Sequence, residues 1–76
     1  MVLGYVLIHV LPKHEYEVFK KLTTVREIIE LYPVFGHYDM IAKIEAKDFD
    51  ILGQIIVHKI RTIEGIVYTK TLTVIK

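Results

Sequence analysis

The sequence contains no cysteine, so neither a disulfide nor a Cys/His zinc cluster can stabilise the fold. This absence matters because the chain has only 76 residues, and a domain of that size buries a smaller share of its surface than a longer one. Oligomerisation is the remaining common device that stabilises so small a domain. The hydrophobic share of 53% is high for a domain with little interior, which indicates that a partner covers some apolar surface.

An excess of charge of one sign is also missing, since ten basic and nine acidic residues give a net charge of +1. The chain therefore has no basic field for nucleic acid, and we expect no direct DNA or RNA binding. The longest apolar stretch, residues 2–11, is about half the roughly 20 residues of a membrane helix. It has no basic segment before it and no signal-peptide cleavage site. We expect a complete cytoplasmic protein, a single domain over residues 1–76, with no membrane contact.

The four histidines also lack the spacing of a metal site. His9, His14, His37 and His58 form neither an HxH nor an HxxxH pattern, and no cysteine accompanies them. We expect no metal and no other cofactor.

The hydrophobic pattern predicts a strand, a helix, two strands, a helix and a strand. The predicted strands cover residues 3–11, 25–35, 38–46 and 67–75, and the predicted helices cover residues 13–22 and 49–63. Asp48 is the expected N-cap of the second helix, and the apolar stripe that begins at Phe49 is the expected core face. Pro33 predicts that the second strand lies at a sheet edge, since proline cannot donate to a central ladder.

Two interleaved right-handed strand-helix-strand units give a ferredoxin-like α+β sandwich, a four-stranded antiparallel sheet with both helices on one face. The other face is left without helices. The first strand is apolar on both sides, with Leu3, Tyr5 and Leu7 alternating with Val6 and Ile8. We therefore expect two copies of the chain to pair through their open sheet faces.

A family resemblance rests on the run GHYDMIAKIEAKDFDIL at residues 36–52 and on the residues that open the last strand. The order and spacing of these positions resemble the effector-binding half, or RAM domain, of the Lrp/AsnC (feast/famine) transcription regulators. That family's pattern is a Gly-x-Tyr-Asp turn, an aspartate opening the second helix, a Gly-Val step and alternating threonines. The matching residues are Gly36, Tyr38, Asp39, Asp48, Gly65, Thr69 and Thr71; Ile66 stands directly after Gly65, with Val67 next.

The resemblance implies an amino-acid-binding homo-oligomer in which dimers assemble into larger rings such as octamers. The effector would bind between dimers near the Gly-x-Tyr-Asp turn, with Gly36, His37, Tyr38 and Asp39 as site residues and Thr69 and Thr71 as further candidates. Asp39 is a suitable partner for the ligand's ammonium group, and backbone N–H groups at the glycine turn suit its carboxylate. Full-length members carry an N-terminal helix-turn-helix, whereas this sequence starts at the first strand of the effector domain. It thus resembles a stand-alone RAM protein that acts on full-length regulators by mixed assembly.

Each of these residues also has a purely structural interpretation. Glycine and aspartate are common hairpin residues, and a row of threonines is typical of a half-exposed strand. An alternative function is an enzyme of the dimeric α+β barrel type, such as a small monooxygenase, and a further one is an ACT-like regulatory module. An enzyme would need converging catalytic groups, and the sequence offers no such set. We expect a non-enzymatic sensor.

Overall fold

The computed structural model describes residues 1–75 and has its strands and helices in the predicted order. The elements are β1 (Val2–Val10), α1 (Glu15–Leu22), β2 (Ile28–Pro33), β3 (Met40–Ala46), α2 (Phe49–Ile55), a π-helix (Ile56–Ile60) that continues α2, and β4 (Ile66–Thr73).

The four strands form one antiparallel sheet in the order β2-β3-β1-β4. This arrangement confirms the ferredoxin-like α+β fold, and β2 lies at an edge, where Pro33 leaves no ladder bond unmade. Each of the two edge pairings contains one irregularity. It lies between Ile28 and Glu30 of β2, and between His9 and Val10 of β1 opposite β4.

The core lies between the helices and one face of the sheet. Alternate residues of β1 and β3 point into it, so that Val6, Ile8 and Ile44 are fully buried. Val18 of α1 and Ile60 of the π-helix close it from the other side. We call the helix-bearing side the covered face of the sheet and the opposite side the open face.

The start of α2 is fixed by a side-chain cap, and the start of α1 follows a turn. Asp48 caps α2 as predicted, because its Oδ1 accepts a hydrogen bond of 2.8 Å from the backbone N–H of Ile51. The predicted start of α1 at Lys13 was two residues early. Lys13 has φ +73°, outside the helical region, and the N–H of His14 closes a turn onto the carbonyl of Leu11.

The second strand is shorter than the predicted residues 25–35. The N–H groups of Val25 and Ile28 donate to the carbonyls of Leu22 and Val25, so that a pair of turns occupies the first part of this segment. The last strand likewise ends at Thr73 rather than at residue 75. β-Branched composition alone does not distinguish these turn and terminal residues from a strand.

The second helix differs from the single regular helix predicted over residues 49–63. After Ile55 it widens into a π-helix, in which the N–H of Arg61 donates to the carbonyl of Ile56, five residues earlier. The predicted apolar stripe is core only in part. Phe49, at the first position of α2 and predicted to be core, is 54% exposed, whereas Ile60 of the π-helix is fully buried, as predicted.

Candidate functional site

The turn between β2 and β3 is fixed by backbone hydrogen bonds at its base. The N–H of Val34 donates to the carbonyl of Asp39, and the N–H of Asp39 donates to the carbonyl of Ile8 in β1. Gly36, at the tip, has φ +115°, in the region that side chains disfavour. The glycine is therefore required by the reversal itself, and its neighbour His37 is exposed.

The Asp39 carboxylate is held against β1. Its Oδ2 accepts a hydrogen bond of 2.8 Å from the N–H of Val10 and lies 3.3 Å from Nδ1 of His9. This aspartate thus satisfies a backbone donor of β1 from the residue directly before β3 begins. Its side chain remains 30% exposed, so a ligand can still reach the carboxylate.

The ring of His9 lies beside this carboxylate and contacts Tyr68, which in turn contacts Tyr38. We call these four residues, His9, Tyr38, Asp39 and Tyr68, the corner cluster. The ring centroids of His9 and Tyr68 are 5.2 Å apart, and Tyr38 meets Tyr68 edge-on at 5.8 Å. His9 lies opposite Tyr68 in the β1–β4 ladder, which brings these residues together across two strands. The cluster lies at one end of the open face.

The polar atoms of the corner cluster are incompletely paired. Nδ1 of His9 is buried and, within residues 1–75, has no hydrogen-bond partner of acceptable angle, although Oδ2 of Asp39 is within reach. Burial, and secondarily the nearby Tyr38 phenol, raises the pKa of Tyr68. The Tyr68 phenol is therefore neutral at physiological pH and presents an uncharged, electron-rich ring.

The two threonine candidates lie on the covered face. Thr69 is opposite Ile8, and Thr71 is opposite Val6. Thr71 lines a groove of about 380 Å³ between β4 and α2, together with Phe49, Leu52, Gly53, Ile56, Val57 and Thr73. The structure thus brings Tyr38 and Asp39 together with His9 and Tyr68, and it sets Thr71 in a different environment.

His9 and Tyr68, which the structure brings close to Asp39 and Tyr38, were not among the predicted site residues. The sequence pattern predicts which residues share a face of each strand, but it does not give the register of β1 against β4, which places Tyr68 opposite His9.

A second groove, of about 450 Å³, lies on the other side of the turn and is also mostly apolar. Its lining residues are Glu15, Tyr16, Phe19, Pro33, Val34, Phe35, Asp39 and Met40.

The described part of the chain contains neither a metal-binding cluster nor a membrane-spanning helix. No three His, Asp or Glu side chains there come together in a way that could hold a metal ion. None of the helices in residues 1–75 has the length and apolar character needed to cross a membrane.

The fold is that of a ferredoxin-like α+β domain whose sheet is covered by helices on one face. Residues 3–76 match the family model described as the Lrp/AsnC ligand binding domain. The chain belongs to this family.

Relatives with known names and structures agree with the family match. The chain is 36% identical over 75 residues to the HTH-type transcriptional regulator FL11 of Pyrococcus furiosus, covering 99% of this chain and 49% of that protein. The crystal structure of FFRP-DM1 matches 99% of this chain and 100% of its own, with TM-score 0.93 and 37% identity. Escherichia coli AsnC matches with TM-score 0.93 and 30% identity, over 99% of this chain and 51% of its own.

The chain spans about half the length of the FL11 regulator. FL11 is named as a transcriptional regulator and AsnC as a regulatory protein, not as enzymes, and the family model that this chain matches describes a ligand binding domain. Two regulators crystallised with L-methionine, from Neisseria meningitidis and Mycobacterium tuberculosis, share the fold at TM-scores of 0.88 and 0.86. Their identities of 13% and 18% limit that likeness to the fold.

Proposed function

We propose that this protein is an amino-acid sensor whose bound effector alters the assembly of Lrp/AsnC-type regulators. The observation that carries the proposal is the match of residues 3–76 to a ligand-binding domain of that family. The L-methionine complexes of the two distant neighbours support it at the level of the fold, since they are examples of an amino acid bound by a protein containing this sandwich.

The effector site would be centred on the turn after β2. Its ammonium group would pair with the Asp39 carboxylate, and its carboxylate would accept hydrogen bonds from backbone N–H groups of the glycine turn. Gly36, His37 and Tyr38 would complete the site, and Thr69 and Thr71, which lie on the covered face, would be the weaker candidates. The exposed part of the Asp39 side chain supports this assignment.

The working unit would be a homodimer that pairs through the open face and then assembles further into rings. Support comes from the apolar side chains that remain half-exposed there, which include Tyr32, Tyr68 and Leu72. Two sheets packed face to face would cover them. Mixed assembly with full-length members would transmit the effector signal to DNA, because these 76 residues carry no basic stripe of their own.

The first experiment is a thermal-shift and size-exclusion screen with each of the twenty L-amino acids. One or a few of them should raise the unfolding temperature, since a ligand at 100 times its dissociation constant adds about 2.7 kcal/mol to the free energy of unfolding. Size exclusion should show a dimer or a larger species. A monomer at micromolar concentration would remove the paired-sheet assembly, and no response to any amino acid would remove the sensor.

The site is tested best with Asp39→Asn. Asparagine retains an oxygen that can accept from the N–H of Val10, but it removes the negative charge that an ammonium group requires. The variant should fold and assemble like the parent and lose the amino-acid response. Normal binding by Asp39→Asn would show that the carboxylate is not the ammonium partner.

A further inference from the structure

The two edge strands of the sheet carry opposite charges on the open face. Glu30 is the one charged residue of β2, and Lys70 is the one charged residue of β4. In the strand ladders Glu30 is opposite Lys43 and Lys70 is opposite Leu7, and these partners alternate with the buried residues of β3 and β1. The open face therefore has an acidic edge at β2 and a basic edge at β4.

Both charged groups can accept a further partner. Lys70 is exposed, and within residues 1–75 its ammonium group makes no ion pair. The Glu30 side chain is 45% exposed; it accepts a hydrogen bond of 2.8 Å from the Tyr32 hydroxyl and lies 3.5 Å from Nζ of Lys43. A carboxylate has about four acceptor positions, so these two neighbours leave room for another donor.

Two copies that pair through their open faces can do so in two arrangements. A pair in which both copies use the same face has a two-fold axis, which here lies in the plane between the sheets. When the strands of the packed sheets are roughly aligned, this axis runs either along the strands or across them. An axis along the strands sets β2 of each copy against β4 of the other. An axis across the strands sets β2 against β2 and β4 against β4.

The charges favour the axis along the strands. Lys70 lies in the same row of the sheet as Tyr32, because the row runs through the ladder pairs Lys70–Leu7, Leu7–Ile41 and Ile41–Tyr32. A two-fold axis along the strands preserves this row, so that Lys70 meets the partner's Tyr32 and, beside it, the partner's Glu30. The axis across the strands would instead bring two acidic edges together and two basic edges together, and like charges that face each other across an interface are costly.

Resting on the proposed function, we propose that two copies pair about a two-fold axis along the strands, with Lys70 of each copy forming an ion pair with the partner's Glu30. The two equivalent ion pairs lie at opposite edges of the interface. The apolar side chains between them fill its middle, and the ion pairs fix its register.

The same chemistry defines the kind of longer regulator that can join in mixed assembly. Such a partner carries an acidic residue at the place of Glu30 on its second strand and a basic residue at the place of Lys70 on its last strand. A sheet with the opposite charge at one of these places meets a like charge and is rejected.

The experiment measures the dissociation constant of the dimer of the full chain by sedimentation. Lys70→Glu sets two acidic residues against each other at both edges, so this constant should rise at least about tenfold at low salt. Lys70→Gln removes the charge without reversing it and should raise the constant less. The difference from the parent should shrink in about 1 M salt, where the Debye length is about 3 Å.

The matched control is Lys21→Glu, which changes the net charge equally but lies exposed on α1, away from the open face. It should dimerise like the parent. Because Lys70 and Lys21 are exposed, these variants should fold, which circular dichroism checks.

A mixture of two single variants distinguishes the two axes. Lys70→Glu mixed with Glu30→Lys should give a mixed dimer about as tight as the parent, because each edge then joins one acidic and one basic residue. The effect of Glu30→Lys on its neighbour Lys43 is the same in the variant alone and in the mixture, so this comparison isolates the contact between copies. With an axis across the strands, Lys70→Glu alone would dimerise like the parent, and the mixture would be tighter than the parent.

The outcomes separate this inference from the proposed function. If the parent stays monomeric, the paired assembly of the proposed function fails, and the inference fails with it. If the parent dimerises, only the arrangement is overturned by any of three results: equal dimerisation of Lys70→Glu, a mixture no tighter than Lys70→Glu alone, or a mixture tighter than the parent. Equal weakening by Lys21→Glu would trace the effect to net charge and would also overturn the contact between copies.

Discussion

The two faces of the sheet are built from the same four strands but differ in how their side chains are used. On the covered face, Val6, Ile8, Ala42 and Ile44 are fully buried by the two helices. On the open face, the residues between them remain partly exposed, and they are aliphatic and aromatic groups mixed with a few charged ones. The covered face is thus buried within the described chain, whereas the open face keeps apolar side chains exposed there.

The charged groups of the open face are arranged rather than scattered. Lys43 lies 3.5 Å from Glu30 and 5.9 Å from the ring of Tyr5, and the Tyr32 hydroxyl donates to Glu30. At the other end lies the corner cluster. A face with paired charges at its middle and edge and apolar residues between them is suited to a partner of defined register.

The largest expected effect comes from comparing neighbouring residues of β1 on the two faces. Ile8→Ala should lower the free energy of unfolding by about 2–5 kcal/mol, because it opens a cavity in a fully buried site. Leu7→Ala, one residue away on the open face, should lower the free energy of unfolding mainly at protein concentrations high enough for the open faces to pair. Denaturant unfolding at several protein concentrations measures both. An equal, concentration-independent loss for Leu7→Ala would contradict the distinction between the faces.

Features of this structure with a local signal in the sequence could be predicted, whereas features that depend on tertiary contacts could not. The alternation in β1 and β3, Pro33 in β2, and the cap at Asp48 are local signals, and they predict the fold, the edge strand and the helix start. The π-helix at Ile56 and the left-handed Lys13 have no such signal, because packing against the sheet and a turn onto Leu11 determine them. The contact of His9 with Tyr68 depends on strand register, which a single sequence does not determine.

The next effect concerns Asp39, which joins the end of the open face to the backbone of β1. Asp39→Ala should lower the free energy of unfolding by about 1–3 kcal/mol, because the N–H of Val10 loses its acceptor in a partly buried position. Asp39→Asn is the control and should lower it less, since its amide oxygen can accept the same bond. Thermal denaturation of both variants without ligand makes the measurement. Equal stability of the Ala variant and the parent would show that water replaces the carboxylate.

A smaller effect of opposite sign is expected in the helix that covers the sheet. Gly53 lies inside α2, and a Cβ built there meets no atom within 4 Å. Gly53→Ala should therefore raise the free energy of unfolding by about 0.5–1 kcal/mol through helix propensity alone. Gly65→Ala is the contrasting variant and should destabilise, because Gly65 has φ +104° and its added Cβ would approach Val18 to 2.9 Å. Chemical denaturation of the two variants measures both effects. If Gly53→Ala is less stable than the parent, the added methyl group is not accommodated in the groove beside α2.

The smallest effect is a pH dependence on the open face. The Tyr32 hydroxyl, and after it Lys43, lowers the pKa of Glu30 from its ordinary value of 4.5. A carboxyl group whose pKa is lower in the folded state than in the unfolded one stabilises the fold above pH 4.5, and this stabilisation is lost as the pH falls through the folded-state pKa. Glu30→Gln should therefore lower the free energy of unfolding slightly at neutral pH and lose correspondingly less of it on the acid side. Both changes should be small, since Glu30 is exposed and solvent screens its ion pair. Unfolding curves between roughly pH 3 and 7 test this.

The same variant tests whether the Glu30–Lys43 pair lies in an interface. If paired sheets cover the open face, the difference in stability between parent and variant should grow with protein concentration, because the pair would lose its solvent screening. A difference that stays constant would place this pair outside the interface.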